Sequence, residues 1–317
     1  MSEYVIFMHG VNTREQREQP GYANQLIRGI KCQIPHSIDI KYVPLYWGDV
    51  NIKAEQALLY DLKQSSVWGK LAFQDFRAQQ LLQFTGDAAL YISRAVGQQV
   101  VERLIQQTMV GLSEFDPRTD HVHLVSHSMG TVIMFDMLFG SRWDAPNANG
   151  YQGVEQLRHL IFHGTSPIRS IHTMGSPISL FSLTMVRDTP VPNTHDITQR
   201  LGQYLKALCP TITSKFPWRN YLHPLDIIAS PIQHLIPKIL NITDTCLDIK
   251  DLPTQDISLF DDLCNLLMNV VGRQALTDLR ELAMLRLALL AGSAHSSYWS
   301  SPVVVSTIVE TISKTAQ

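Results

Sequence analysis

An α/β fold, with a mostly parallel sheet and helices on both of its faces, is predicted for this 317-residue chain. Short apolar runs of strand type recur, at Tyr4–Met8, Ile38–Trp47, Val122–Val125, Ser170–Met174, Phe216–Leu222 and Thr245–Ile249. Between them, apolar residues return every three or four positions, which is the helical interval. Composition supplies the third observation. With 45% hydrophobic and 17% charged residues, the chain has ample apolar surface for a single core.

Tyr4–Met8 is ended by His9-Gly10. Gly21–Ile34 has helical spacing (Tyr22, Leu26, Ile27, Ile30) and stops at Pro35. Ile38–Trp47 alternates as a strand, and Trp47-Gly48-Asp49 makes the turn after it. From Ile52 to Leu112 no strong strand stands out. Leu58, Leu62, Leu71, Phe73, Leu81, Ile92, Val96, Val100 and Leu104 suggest two or more helices, in a stretch longer than an ordinary connection. Val122–Val125 is the next strand, followed by a buried helix over Met129–Phe139 with Gly140 as its C-terminal cap. Asp144–Gly150 carries the residues of a surface loop. Ser170–Met174 leads into Gly175-Ser176-Pro177, and Phe216–Leu222 leads into "HPLDIIASP". Ile257–Leu290 is helical, with Leu259, Leu263, Leu266, Leu267 and Val270 on one face, and Pro302–Ile312 is a closing helix. No internal repeat or low-complexity tract is present.

The formal net charge of −2 gives no field to recruit nucleic acid or anionic membranes, and no Lys/Arg cluster interleaves with aromatics. Cys32, Cys209, Cys246 and Cys264 show neither C-x-x-C pairing nor metal-ligand spacing, and are expected as reduced thiols in a cytoplasmic protein. The opening "MSEYVIFMHG" lacks a basic region before its apolar run, so no signal peptide is expected, and Asn241-Ile242-Thr243 is expected to stay unglycosylated. Leu279–Ala294 is apolar but holds Arg280, Glu281 and Arg286, too short and too charged for a bilayer span. His121 and His123 share a strand face without a third ligand at metal spacing, and are expected as packed core or sheet-edge residues.

Ser126-His127-Ser128-Met129-Gly130 lies between a strand and a helix, the small-x-Ser-x-Gly pattern of a nucleophile elbow. Such a turn lifts the Ser128 hydroxyl clear of the backbone, and the residues two before and two after must be small for strand and helix to approach. The helix N-terminus adds a partial positive charge and free N–H groups where an oxyanion would develop. The plainer reading is that Ser128 only caps that helix.

These residues resemble the elbow of the α/β-hydrolase superfamily, in its lipase and esterase branch. "VIFMHGVNT" resembles the strand and His-Gly loop that gives one oxyanion-hole N–H, and "HTMGSPISLF" the strand and Gly-Ser-Pro of lipase-like members. "WRNYLHPLDIIASP" and "AHSSYW" resemble the segments that carry the acid and the histidine. Ser126 stands where glycine is commoner. The resemblance implies a reduced sheet of about six strands in one domain over 1–317, with helical insertions at approximately 51–113 and 231–291. Those insertions would either form a cap or lid over an acyl pocket or pack on the sheet as core helices.

On this resemblance Ser128 is the nucleophile, His295 its base, and Asp226 the acid that orients His295, in the superfamily's chain order. The backbone N–H groups of Val11 and Met129 form the oxyanion hole. His295 is chosen by its place after the last large insertion, over His9, His127, His163, His172, His223 and His234. His127 is the elbow's x residue, and His9 braces its own loop. Asp226 is chosen over Asp188, Asp244 and Asp248. Asn12 and Thr13 could contact substrate or bond only within their turn. The expected activity is hydrolysis of carboxylic esters with an apolar acyl or alcohol part, without cofactor or metal. The substrate would be a small molecule or lipid, reached where needed by transient contact with a membrane or acyl carrier. A thioesterase or acyltransferase with the same triad is the alternative, and a non-catalytic binding protein on the same fold the third.

Overall fold

The six strands form a single, wholly parallel sheet in the computed structural model, which describes residues 1–14, 20–71, 74, 78, 86–87, 91, 94–144, 151–162, 168–181, 196–210, 212, 214–242, 246–256 and 292–316. The strands are β1 (Glu3–Met8), β2 (Ile40–Leu45), β3 (His121–His127), β4 (Ile168–Met174), β5 (Phe216–Leu222) and β6 (Leu247–Pro253). Their order across the sheet is β2-β1-β3-β4-β5-β6. All six lie where strand-type runs are predicted. Pro44 sits in β2 and Pro253 ends β6, the two edge strands, where a missing N–H costs no ladder bond.

The helices divide between the two faces. Helix α1 (Asn24–Gln33) and the last helix, α8 (Pro302–Thr315), cover one face, burying Leu26, Ile30, Val304, Ile308 and Ile312 against Val5, Phe7, Val125 and Met174. On the other face lie α3 (Arg94–Gly111), α4 (Met129–Phe139), α5 (Tyr151–Phe162), α6 (Thr198–Leu208) and the short α7 (Leu235–Leu240). Helix α2 (Ile52–Lys63) precedes them and leaves Leu58 and Tyr60 exposed. All eleven residues of α4 are buried, as expected of a helix apolar all round. Each large apolar side chain there, such as Phe135 or Leu138, contributes about 1.5–3 kcal/mol. Gly140 caps α4 in an extended conformation rather than a left-handed one. The free carbonyls of the last turn bond instead to Arg158 of α5, whose Nε–H donates to Met137 O at 2.9 Å and Nη2–H to Gly140 O at 2.6 Å.

Helices α5 and α6 go beyond the sequence expectation. Both carry a buried stripe at helical spacing: Val154, Leu157, Arg158 and Ile161 in one, Leu201, Leu205 and Leu208 in the other. Of the two expected insertions, the 51–113 stretch ends in α3, whose Val100, Val101 and Leu104 lie in the main core. The 231–291 stretch includes α7 and β6, and β6 pairs with β5 along its whole length; 257–291 lie outside the described residues. Among the described residues, no helix is long and apolar enough to cross a membrane. The cysteine expectation is corrected at one pair. Cys209, at the end of α6, and Cys246, just before β6, are joined as a disulfide with their Cα atoms 5.3 Å apart. Cys32 is free and exposed.

His121 and His123 belong to a buried hydrogen-bonded row crossing four strands. Burial opposes ionisation of Glu3, but the bonds from His121 and His123 outweigh it and hold the carboxyl down at about 2. An ionised carboxylate only accepts, so His121 Nδ1–H donates to Oε1 at 2.9 Å and His123 Nε2–H to Oε2 at 2.8 Å. Burial keeps His123 neutral at ordinary pH, so its Nδ1 accepts the Ser170 hydroxyl at 2.6 Å. Ser170 Oγ then accepts His172 Nε2–H at 3.0 Å, and His172 Nδ1 accepts the Tyr221 hydroxyl at 2.9 Å. At the other end Arg169 Nη2–H donates to His121 Nε2 at 3.0 Å.

These rings make the fold acid-sensitive. Burial lowers the pKa of His123, takes that of His172 well below 6.5, and brings His9 to about 4 and His127 to about 3. Below pH 6.5 the unfolded chain therefore binds protons that the folded chain refuses, so stability falls as pH falls. Each ring adds a slope approaching about 1.4 kcal/mol per pH unit. Glu3 acts in the same direction between 4.5 and about 2. Urea midpoints are expected to hold near neutrality and drop steeply from pH 6.5 to 5; a midpoint unchanged at pH 5 would contradict the burial of neutral rings.

Candidate active site

Strands β1 and β3 are neighbours, yet the chain leaves β1 toward β2 on one side and β3 toward β4 on the other. In an open parallel sheet this switch point opens a crevice at the carboxyl ends of the strands. His9-Gly10 follows β1 there, and Ser128 follows β3.

Ser128 has φ 53° and ψ −134°, a region that side chains rarely occupy and that marks a functional constraint. The bend is held by Ser128 N–H donating to Met174 O at 2.9 Å and Thr131 N–H donating to Ser128 O at 3.0 Å. Gly130 must lack a side chain, because a Cβ there would lie 2.2 Å from the His9 carbonyl oxygen. Two residues before Ser128, Ser126 Oγ accepts the Thr131 hydroxyl at 3.0 Å. Ser128 occupies the N-cap position of α4, but its side chain makes no capping bond. Its Oγ lies instead 2.7 Å from His295 Nε2.

His295 Nδ1 is 2.9 Å from Asp226 Oδ2. Burial works against the Asp226 charge, but bonds from His295, Tyr298 and the Ile228 N–H more than offset it and lower the pKa. The carboxylate therefore accepts from His295 Nδ1–H, which leaves Nε2 as the acceptor for the Ser128 hydroxyl. Asp226 Oδ1 accepts Ile228 N–H at 3.0 Å, and Oδ2 also accepts the Tyr298 hydroxyl at 2.8 Å. Tyr298 in turn accepts His223 N–H at 2.8 Å, fixing the turn that presents Asp226. The elbow's x residue is also engaged: His127 Nε2–H donates to the His295 carbonyl at 2.5 Å, with the two rings 4.7 Å apart.

Gly175, after β4, closes the floor. It has φ +54°, and a Cβ there would lie 2.6 Å from Asp226 Oδ2, 2.7 Å from the Tyr298 ring and 3.2 Å from His295 Nδ1. Gly175→Ala is expected to cost about 1–3 kcal/mol of stability and to slow any chemistry at Ser128 by pushing Asp226 from His295. Thermal unfolding and the rate of fluorophosphonate labelling check this; a variant matching wild type in both would contradict the contact.

The His-Gly loop lies directly against the elbow, since a Cβ on Gly10 would be 2.5 Å from Ser128 Cβ. His9 braces it: Nδ1–H donates to Gly10 O at 2.6 Å, Nε2 accepts Trp47 N–H at 3.1 Å, and the His9 carbonyl accepts Trp47 Nε1–H at 3.1 Å. Val11 follows, then Asn12 with φ 59°. Asn12 N–H donates to Asp87, and Arg14 bonds both Asp87 and Glu55. Met129 is the first residue of α4, so its N–H has no carbonyl four residues back within the helix.

The structure thus brings Ser128, His295 and Asp226 together, with Met129 and the Gly10–Val11 loop beside them. Among their sequence rivals, His172 and His223 bond elsewhere, His234 precedes α7, and Asp248 pairs with Arg219 across β5 and β6. His163, Asp188 and Asp244 lie outside the described residues. The sequence alone assigns no role to Tyr298 or Asp87. Tyr298 had a local signal, standing three residues after His295 in "AHSSYW"; Asp87 had none. Among the described residues, no group of three or more His, Cys, Asp and Glu could hold a metal ion.

A six-stranded parallel sheet with helices on both faces, and a serine in a positive-φ turn between strand and helix, is consistent with an α/β-hydrolase-like fold. No family model matches the chain. It is similar to a probable mitochondrial phospholipase of Saccharomyces cerevisiae, 26% identical over 250 residues, which is 74% of this chain and 31% of that protein. The chain spans about a third of the length of the relative it matches.

Proposed function

We propose that the chain is a serine hydrolase that cleaves carboxylic esters of lipids through Ser128, His295 and Asp226. The observation that carries this reading is the pair of contacts at His295, 2.7 Å to Ser128 Oγ and 2.9 Å to Asp226 Oδ2. Similarity to a probable phospholipase supports a lipid ester as substrate.

Ser128 Oγ attacks the ester carbonyl while its proton passes to His295 Nε2. Asp226 stabilises the imidazolium, and Tyr298 and Ile228 N–H hold Asp226 charged. The developing oxyanion takes hydrogen bonds from the Val11 and Met129 N–H groups, and losing one such donor costs about 2.7–4 kcal/mol in rate. Collapse expels the alcohol, which takes the proton from His295. Water then gives up a proton to the same ring and attacks the acyl-enzyme carbonyl; the acyl–Oγ bond breaks, His295 returns the proton to Ser128 Oγ, and the acid leaves.

Intact mass after incubation with a fluorophosphonate, then with p-nitrophenyl esters of graded chain length, phosphatidylcholine and acyl-thiol substrates, tests the reading. One phosphonyl group per chain on Ser128 and release of fatty acid from the lipid are expected. Absence of any adduct would overturn it in favour of a binding protein, and turnover confined to thiol esters would move it to the thioesterase alternative.

A further inference from the structure

We propose that Asp87 is the positioning residue of the oxyanion loop, its buried carboxylate fixing the backbone through Val11 and Asn12 so that the Val11 N–H is set toward Ser128. This rests on the reading of Ser128 as nucleophile. Asn12 takes φ 59°, a left-handed conformation open to few side chains, asparagine among them, and one that a fixed partner selects in the folded chain. One bond that holds it there runs from Asn12 N–H to Asp87 Oδ2 at 2.8 Å. The Val11–Asn12 peptide is planar and trans, so fixing that N–H also fixes the Val11 carbonyl on the opposite side of the same plane. The preceding plane, which carries the Val11 N–H, is joined to it through the two torsions of Val11 alone. Gly10, packed against Ser128, anchors its other end.

Asp87 is itself immobilised. Its carboxylate is 1% exposed and accepts four hydrogen bonds. Oδ2 takes Asn12 N–H and Arg14 Nη1–H (3.0 Å); Oδ1 takes Arg14 Nη2–H (3.1 Å) and Asn51 Nδ2–H (3.0 Å). Glu55 of α2 shares the Arg14 guanidinium, with Nη2 at 2.7 and 2.8 Å from its two carboxylate oxygens. Burial together with the neighbouring Asp87 charge raises the Glu55 pKa, although Arg14 opposes this. The clamp therefore ties the loop after β1 to the turn before α2 and to α2 itself. A turn needing only an acceptor could use a carbonyl oxygen. A buried carboxylate with four donors is costly to desolvate, and what it secures is a rigid backbone beside the nucleophile.

Asp87→Asn tests this, because an amide keeps the shape but has one accepting oxygen, leaving two of the four donors facing an –NH2 group. With the full chain and p-nitrophenyl butyrate, kcat is expected to fall about 100-fold and KM to stay within roughly two-fold of wild type. The shape of the pH profile of kcat should be unchanged, since His295 is untouched. Affinity for a trifluoromethyl ketone, which forms an oxyanion on Ser128, should fall in parallel, and affinity for a matching alcohol, which forms none, should not. Unchanged kcat, or equal weakening of both ligands, would overturn the inference. Asp87→Glu keeps the charge and moves it by one methylene; the same split at a smaller loss is expected if Asp87→Asn does not fold, and wild-type behaviour would overturn the proposal. Should the wild type take no label at Ser128, the underlying reading fails and this inference with it. If the wild type labels and Asp87→Asn labels as fast, only this inference fails.

Discussion

Replacing Ser128 by alanine is expected to reduce ester hydrolysis about a million-fold and to abolish fluorophosphonate labelling, with the fold intact. The size of the effect comes from the unity of the triad. In the proposed mechanism His295 takes its proton from the one oxygen that lies 2.7 Å from its Nε2, and with that oxygen gone neither His295 nor Asp226 would have work to do. Ser128→Ala combined with His295→Ala should thus be hardly slower than either alone. Stability should not suffer, because Ser128 makes no capping bond that alanine would lose, although alanine inherits the unfavourable φ of 53°. Steady-state hydrolysis, intact mass and thermal unfolding of the single and double variants decide it. Additive losses would mean that the two side chains act separately.

Asp226→Asn should cost about ten-thousand-fold in kcat. Oδ2 accepts from His295 and Tyr298, and Oδ1 accepts from Ile228 N–H. An asparagine cannot satisfy both sides. With its –NH2 toward His295, the ring must move its proton to Nε2, where it blocks the Ser128 hydroxyl. With its –NH2 toward Ile228, two donors collide in a buried turn and the acid moves. Rate measurements across pH check this, since the wrong tautomer lowers the plateau rather than shifting the profile sideways. A loss of less than about ten-fold would show that His295 is oriented by something else.

Much of this architecture was legible in the residues, for reasons that differ between elements. All six strands showed as short apolar runs because they are covered on both faces or closed by turn residues. The elbow was legible because its constraints are local: slim residues at Ser126 and Gly130 on either side of a hydroxyl. Asp226 and His295 are legible only through chain order and family resemblance, since their meeting spans 69 residues that no local pattern connects. Helix α5 is harder to see because Arg158 occupies its buried stripe, its charge paired with Asp144 and its other N–H groups taken by carbonyls at the end of α4 that only the fold brings near. Asp87 lies in a stretch whose apolar spacing suggested only helices, and its partners are 36 to 75 residues away. The disulfide from Cys209 to Cys246 has no spacing motif and arises because α6 ends beside the start of β6.

In the row from Tyr221 to Glu3, every proton has one address. No member can turn to a new partner without robbing the next, so a change at one place orphans groups far off in the chain; Glu3 and His121 alone are 118 residues apart. Alanine at Ser170 would leave two imidazoles facing a methyl group, each a half-finished sentence. The underside of the sheet can therefore drift only as a set, and the first strand is bound in its descent to the three beyond it.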